Sequence, residues 1–80
     1  MTAEPDDEEV VQTAATAAED IIFARYSRSE VRDFDVTVSF EDGELEVDVY
    51  LDAGDDQQTA EEVAEDAVLA ARNAVDNLLG

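Results

Sequence analysis

Alternating apolar and polar residues mark the middle of the chain, from Phe34 to Asp52, and predict a β-hairpin. Apolar side chains occupy every second position on two arms that flank Asp42-Gly43, a dipeptide favoured in type I′ turns. A two-residue turn pairs the arms so that all the apolar residues share one face, and a slip of one residue would turn one arm to water. These residues are Phe34, Val36, Val38, Phe40, Leu45, Val47, Val49 and Leu51.

The opposite face of the predicted hairpin carries hydroxyl and carboxylate side chains, with Tyr50 as its one large ring. No cation lies opposite the acids, and burial would leave their charges uncompensated, so this face is predicted to be solvated. Its residues are Asp35, Thr37, Ser39, Glu41, Glu44, Glu46, Asp48 and Tyr50.

A helical period precedes the hairpin and predicts a first helix from about Pro5 to about Ser27, after a short tail of residues 1–4. Proline suits the first turn of a helix, and the acids that follow Pro5 place negative charge at the positive end of the helix dipole. The apolar positions fall within one arc at about 100° per residue. They are Val10, Val11, Ala14, Ala15, Ala17, Ala18, Ile21, Ile22 and Tyr26.

A second helical period follows the hairpin and predicts a helix from Ala60 to about Leu79, after a loop at residues 53–58. Thr59 and Glu62 have the spacing of a capping box, with a hydroxyl at the cap and a glutamate three residues later. The apolar arc of this helix is Val63, Ala64, Ala67, Val68, Ala70, Ala71, Ala74, Val75, Leu78 and Leu79.

These elements predict one α+β domain over residues 1–80, in the order helix, strand, strand, helix. Both helices would pack on the apolar face of the antiparallel hairpin. An isolated two-stranded sheet is marginally stable and has two open edges. We therefore expect a homodimer or a protein partner that pairs through the hairpin edge and the helices.

The charge balance is strongly acidic, with 23 Asp and Glu against four Arg, no Lys and a formal net charge of -19. Self-repulsion on this scale opposes compaction in dilute buffer, whereas molar salt shortens the Debye length to about 3 Å. The composition indicates an extreme halophile and a fold that requires high salt. The alternative is an acidic protein built for a basic partner, but the acids are spread along the whole chain.

Candidate chemistry is sparse, which favours a non-catalytic protein without a cofactor. The chain has no Cys and no His, so it lacks a thiolate and the usual base for a nucleophile. Asp52, Asp55 and Asp56 could hold a hard cation, but they lack the EF-hand spacing, and we expect a hydrated acidic loop without a metal. No signal peptide or membrane span is evident, which predicts a cytoplasmic protein.

Three of the four arginines, Arg25, Arg28 and Arg32, lie within eight residues around the end of the first predicted helix. One interpretation is structural: cations stabilise the negative end of a helix and pair with local acids. The alternative is a basic patch that contacts a phosphate or RNA, or an acidic partner. Direct contact with nucleic acid is not expected, because the net charge opposes it.

Two apolar residues lie outside the predicted arcs. Phe23 falls among polar residues of the first helix, and Leu69 falls among acids of the second. Single exposed apolar side chains are common, yet both would suit partner contact, as would Tyr50. The candidate contact residues are therefore Phe23, Arg25, Arg28, Arg32, Tyr50 and Leu69.

Two segments, FARYSRSEVRDFDVTV and FEDGELEVDVYL, resemble haloarchaeal members of a small archaeal family classed as domain of unknown function 3194. The resemblance covers nearly the whole chain. The family has no catalytic motif, so the resemblance implies no catalytic residue.

The order helix, hairpin, helix is also similar to the small dimerising subunit of KEOPS, the complex that makes threonylcarbamoyladenosine in tRNA. That subunit has an additional strand before its first helix, which this chain lacks. Genes of the resembled family tend to lie near those for this subunit and for prefoldin. These resemblances imply a non-catalytic accessory subunit that pairs with the KEOPS subunit.

Overall fold

The elements follow the predicted order of helix, strand, strand and helix. The structure is a computed structural model that describes residues 6–54 and 57–80. Its elements are α1 (Asp7–Arg25), β1 (Asp33–Glu41), β2 (Glu44–Asp52) and α2 (Gln57–Leu79). The α+β class and the antiparallel hairpin are therefore confirmed. The predicted tail at 1–4, the predicted start at Pro5, and Asp55 and Asp56 lie outside the described residues.

The hairpin has the register that its alternating pattern predicts. Phe34 lies opposite Leu51, and Glu41 lies opposite Glu44 at the turn. Asp42 and Gly43 have φ angles of 52° and 79°. Two positive φ angles in a two-residue loop are those of a type I′ turn, whose twist matches that of the strands.

Helix α1 begins after Asp6, whose side chain accepts a hydrogen bond of 2.8 Å from the backbone N–H of Glu9. This bond satisfies a backbone donor that the first turn leaves unpaired. The helix ends at Arg25, two residues before the predicted end at Ser27. The reason is local, because the Ser27 N–H bonds to the Glu30 carboxylate at 3.0 Å and does not continue the helix.

Helix α2 begins at Gln57, three residues before the predicted start at Ala60. Thr59 therefore lies inside the helix, and the predicted capping box at Thr59 and Glu62 is wrong. Glutamine is a good helix former, so Gln57 and Gln58 extend the helix by most of a turn ahead of the predicted cap.

The fully buried core lies where the two helices meet each other and the hairpin. Helix α1 packs against α2 and β1, and α2 also packs against β2. Many of the buried residues are alanines, which allow helix backbones to approach closely. The buried residues of α1 recur at every fourth position. The core consists of Val10, Ala14, Ala18, Ile22, Leu51, Ala60, Val63, Ala67, Ala71 and Val75.

The apolar face of the hairpin is less buried than the sequence predicts. Val36, Val38, Val47 and Val49 were expected to form the hairpin core, but each is only half-buried, and Leu51 is the one buried residue of the strands. A sheet of two strands is only about 5 Å from strand to strand. Each side chain on its inner face other than Leu51 therefore has an open flank that the helices do not cover.

Close packing around Ala67 leads to a first prediction. Ala67 is fully buried, so Ala67→Leu inserts extra carbons into a packed site and should lower the free energy of unfolding by about 1–3 kcal/mol. Ala24→Leu is the matched control, since Ala24 is exposed on α1, and it should change stability by less than about 0.5 kcal/mol. Urea titration in molar salt measures both. Equal effects would contradict the close helix packing.

Candidate partner-binding surface

A short turn between α1 and β1 is held together by Ser27 and Glu30. The Glu30 carboxylate accepts hydrogen bonds from the Ser27 backbone N–H at 3.0 Å and from its hydroxyl at 2.9 Å. The Glu30 N–H donates to the Ser27 carbonyl at 3.0 Å. These bonds turn the chain after α1 and place the two arginines that follow it near the first residues of β1.

Two hydrogen bonds from Ser27 lower the pKa of Glu30 below its ordinary value of 4.5. The bond from the backbone N–H has the larger effect, and the bond from the hydroxyl has the smaller one. A depressed folded-state pKa stabilises the turn above the unfolded pKa, and this contribution is lost as pH falls through the folded value. We therefore expect Ser27→Ala to raise the pKa of Glu30 towards 4.5. NMR titration of the Glu30 carboxyl measures the change. The backbone N–H bond survives this substitution, so the rise should be partial, and an unchanged pKa would contradict the hydrogen bond from the Ser27 hydroxyl.

An aromatic pair joins the end of α1 to the start of β1. The rings of Phe23 and Phe34 meet edge to face, with centroids 5.2 Å apart and planes at 87°. Phe23 is half-buried and packs against the core. It is therefore not the isolated exposed side chain that its position off the helical arc suggested, because the returning strand brings Phe34 against it.

Arg28 lies over one ring of this aromatic pair, and Arg32 lines the same cavity as both rings. The guanidinium carbon of Arg28 lies 5.3 Å from the centroid of the Phe23 ring, a cation–π distance. Arg32 donates its backbone N–H to the Asp52 carbonyl at 2.8 Å. Its side chain lies against Gly54, where a Cβ would be 3.4 Å from Nε.

Together these residues line a cavity of about 290 Å³, which we call the basic cavity. Its walls combine aromatic rings, an aliphatic side chain, two cations and one carboxylate. The lining residues are Phe23, Arg28, Val31, Arg32, Asp33 and Phe34.

Arg25 does not line the basic cavity and forms an ion pair instead. Its guanidinium donates to the Asp66 carboxylate of α2 at 3.1 Å. Both side chains are about half exposed, so the pair adds at most about 1 kcal/mol to stability. The predicted cluster of three arginines therefore divides into one structural cation, which links the helices, and two that line a cavity.

Tyr50 and Leu69 lie on different elements and are both exposed. Tyr50 lies opposite Asp35 on the outer face of the hairpin and is 53% exposed. Leu69 is 58% exposed on α2, as its position off the helical arc predicts. Their role in partner contact stays a prediction.

Other candidate chemistry is limited in the described part of the chain. No group of three or more acidic side chains comes together there as a cation site. Asp52 accepts a hydrogen bond of 3.0 Å from the Gly54 N–H, while its predicted co-ligands Asp55 and Asp56 fall outside that part. Neither described helix has a stretch long and apolar enough to cross a membrane.

The basic cavity was not predicted from the sequence, because Val31 and Asp33 lie between the first predicted helix and the hairpin, and Phe34 was assigned only to the apolar face of the hairpin. Asp66 was not predicted as the partner of Arg25 either. The available signal was the placement of Phe23 two residues before Arg25, the last residue of α1, close to where the chain returns to the sheet.

Comparison with known proteins gives a consistent result. The sequence profile of a protein of unknown function (DUF3194) matches residues 2–78. An uncharacterised protein of the haloarchaeon Natronomonas pharaonis is 54% identical over 82 positions, which cover 98% of each chain. No solved structure matches. The match over almost the full length shows that this chain belongs to the DUF3194 family.

Proposed function

We propose that this protein is a non-catalytic binding subunit of a larger cytoplasmic assembly. The observation that carries the proposal is the incomplete cover of the hairpin. Seven of its eight inner apolar residues remain partly exposed although both helices pack on them. A partner that packs along the open flank would bury this surface and add hydrophobic stabilisation of about 25 cal/mol per Å².

The strand edges support the same role. In the described residues β1 pairs only with β2, so each nine-residue strand presents a free edge. An exposed edge can accept a further strand through its backbone hydrogen bonds. The many carboxylates on these strands oppose pairing with arbitrary chains, which favours a selective partner.

KEOPS is the candidate assembly, since the order of elements in this chain is similar to that of its small dimerising subunit. Among the described residues no strand precedes α1, and the hairpin edge is one at which a strand from another protein could pair. The proposed role is accessory and requires no catalytic group.

The test is affinity purification of the tagged protein from its native host in buffer of the host's own salt concentration. We expect the small KEOPS subunit to co-purify in a stoichiometric complex. Recovery of the protein alone, as a monomer by analytical ultracentrifugation, would overturn the binding role. Recovery of a homodimer alone would support the hairpin edge as an interface but would contradict membership of a larger assembly. An RNA in place of a protein would support the alternative of phosphate contact.

Substitutions on the exposed surface identify the contact face. Tyr50→Ser tests the outer face of the hairpin and Leu69→Ser tests α2, while Leu79→Ser is the control because Leu79 is 50% exposed near the end of α2. A few side chains at the centre of an interface cost about 2 kcal/mol or more when truncated, and tyrosine is enriched among them. We expect loss of co-purification with Tyr50→Ser or Leu69→Ser and retention with Leu79→Ser.

A further inference from the structure

We propose that the basic cavity binds the terminal carboxylate of a partner protein whose last residue is apolar. Two arginines, Arg28 and Arg32, line the same small cavity as Phe23 and Phe34. This assignment rests on the binding role proposed above and adds the chemical group of the partner that is bound.

Neither Arg28 nor Arg32 is paired with a carboxylate among the described residues. The chain has 23 acidic residues, yet among the described residues only Arg25 has a carboxylate oxygen within 4.0 Å of its guanidinium. Arg28 faces a ring, whose attraction leaves its charge uncompensated, and Arg32 lies against Gly54. These contacts position both guanidinium groups and leave them able to bind an anion.

The charge of the cavity suits a carboxylate. Two arginines and Asp33 line it, which leaves one net positive charge. That charge matches a carboxylate, which an arginine fork binds through two parallel hydrogen bonds. A phosphate monoester carries about -1.5 to -2 at neutral pH and would leave negative charge beside Asp33.

The size and polarity of the cavity suit a single amino-acid residue. At about 290 Å³ the cavity lies at the lower end of small-molecule sites, which begin near about 300 Å³. Phe23, Val31 and Phe34 supply apolar wall. One residue that carries both a carboxylate and an apolar side chain fits this space, and such a residue is the C-terminal residue of a protein. Capture of a terminal carboxylate is an established mode of recognition.

The experiment uses the full chain, labelled with ¹⁵N, in molar salt. The probes are N-acetyl-phenylalanine, its uncharged amide and inorganic phosphate. We expect N-acetyl-phenylalanine to shift the backbone N–H signals of residues 28–34. Its uncharged amide should bind at least about tenfold more weakly, because the charge-assisted hydrogen bonds are lost, and phosphate should bind more weakly than the acid.

Matched variants separate the cavity from general charge. Arg28→Gln and Arg32→Gln should each weaken binding of N-acetyl-phenylalanine about tenfold or more, while their spectra stay folded because both residues are exposed. Arg72→Gln is the control, since Arg72 is exposed on α2 and does not line the cavity.

Equal binding of the acid and the amide would overturn the proposal, as would phosphate binding more tightly than the acid or an equal loss with Arg72→Gln. The probes need no partner protein. A failure here therefore removes the carboxylate site and leaves the binding role to the affinity purification, while failure of that purification leaves the measured site intact.

Discussion

Dilution from molar salt to about 0.1 M should unfold this protein. The formal net charge is -19, and the described residues contain one ion pair. None of the described charged residues is buried, so solvent ions screen their repulsion, with a Debye length of about 3 Å at 1 M and about 10 Å at 0.1 M. We expect a loss of about 3–5 kcal/mol, comparable with the whole stability of a domain this small. Circular dichroism during the dilution measures it.

Two pairs of substitutions locate this repulsion. Glu41 and Glu44 lie directly opposite each other across the hairpin, where like charges destabilise. Replacing both with Gln should lower the salt concentration at the folding midpoint. Glu8 and Glu9 lie in the first turn of α1, where negative charge is favourable. Replacing Glu8 and Glu9 with Gln removes the same amount of charge but should lower the salt concentration at the folding midpoint by less. A fully retained spectrum at 0.1 M would contradict the prediction.

Ile22→Ala should be the most damaging single truncation in the core. Ile22 is fully buried and is among the largest of the fully buried side chains. Removal of its buried carbons loses transfer free energy and leaves a cavity, which together lower the free energy of unfolding by about 2–5 kcal/mol. In a domain this small that loss approaches the total stability. The measurement is the urea midpoint in molar salt.

Leu69→Ala is the matched control for Ile22→Ala, because Leu69 is 58% exposed on α2. It should change stability by less than about 0.5 kcal/mol. A loss at Leu69 comparable with that at Ile22 would mean that α2 buries a different face from the one described. In that case the helix-centred core would be wrong.

The hairpin was predictable in detail because its determinants are local. A period of two defines the faces, and the two positive φ angles that Asp42-Gly43 accommodates define the turn. The helix ends were less predictable. Ser27 left the helix because it bonds to Glu30, and α2 extended beyond Thr59 to Gln57. Each helix boundary depends on whether side chains or the helix backbone form the local hydrogen bonds, and amino-acid composition alone does not predict which of them do.

The candidate site was predictable only in part. Clustering along the chain indicated Arg25, Arg28 and Arg32, yet their roles differ because α2 brings Asp66 to Arg25. Phe23 fell outside the apolar arc of α1, and only the return of β1 places Phe34 against it. Contacts between distant elements depend on how the elements pack, which a periodic pattern within one element does not encode.

By itself the sequence determined the order of elements, the register of the hairpin and the inward face of each helix. Periodicity and turn chemistry act within a few residues, so they can be read directly from the chain. Tertiary structure decided where the core is fully closed, namely at the helices, because a two-stranded sheet leaves its flanks open. It also decided that Arg28 and Arg32 share a cavity while Arg25 does not, because that outcome depends on which side chains α2 and β1 bring to the end of α1.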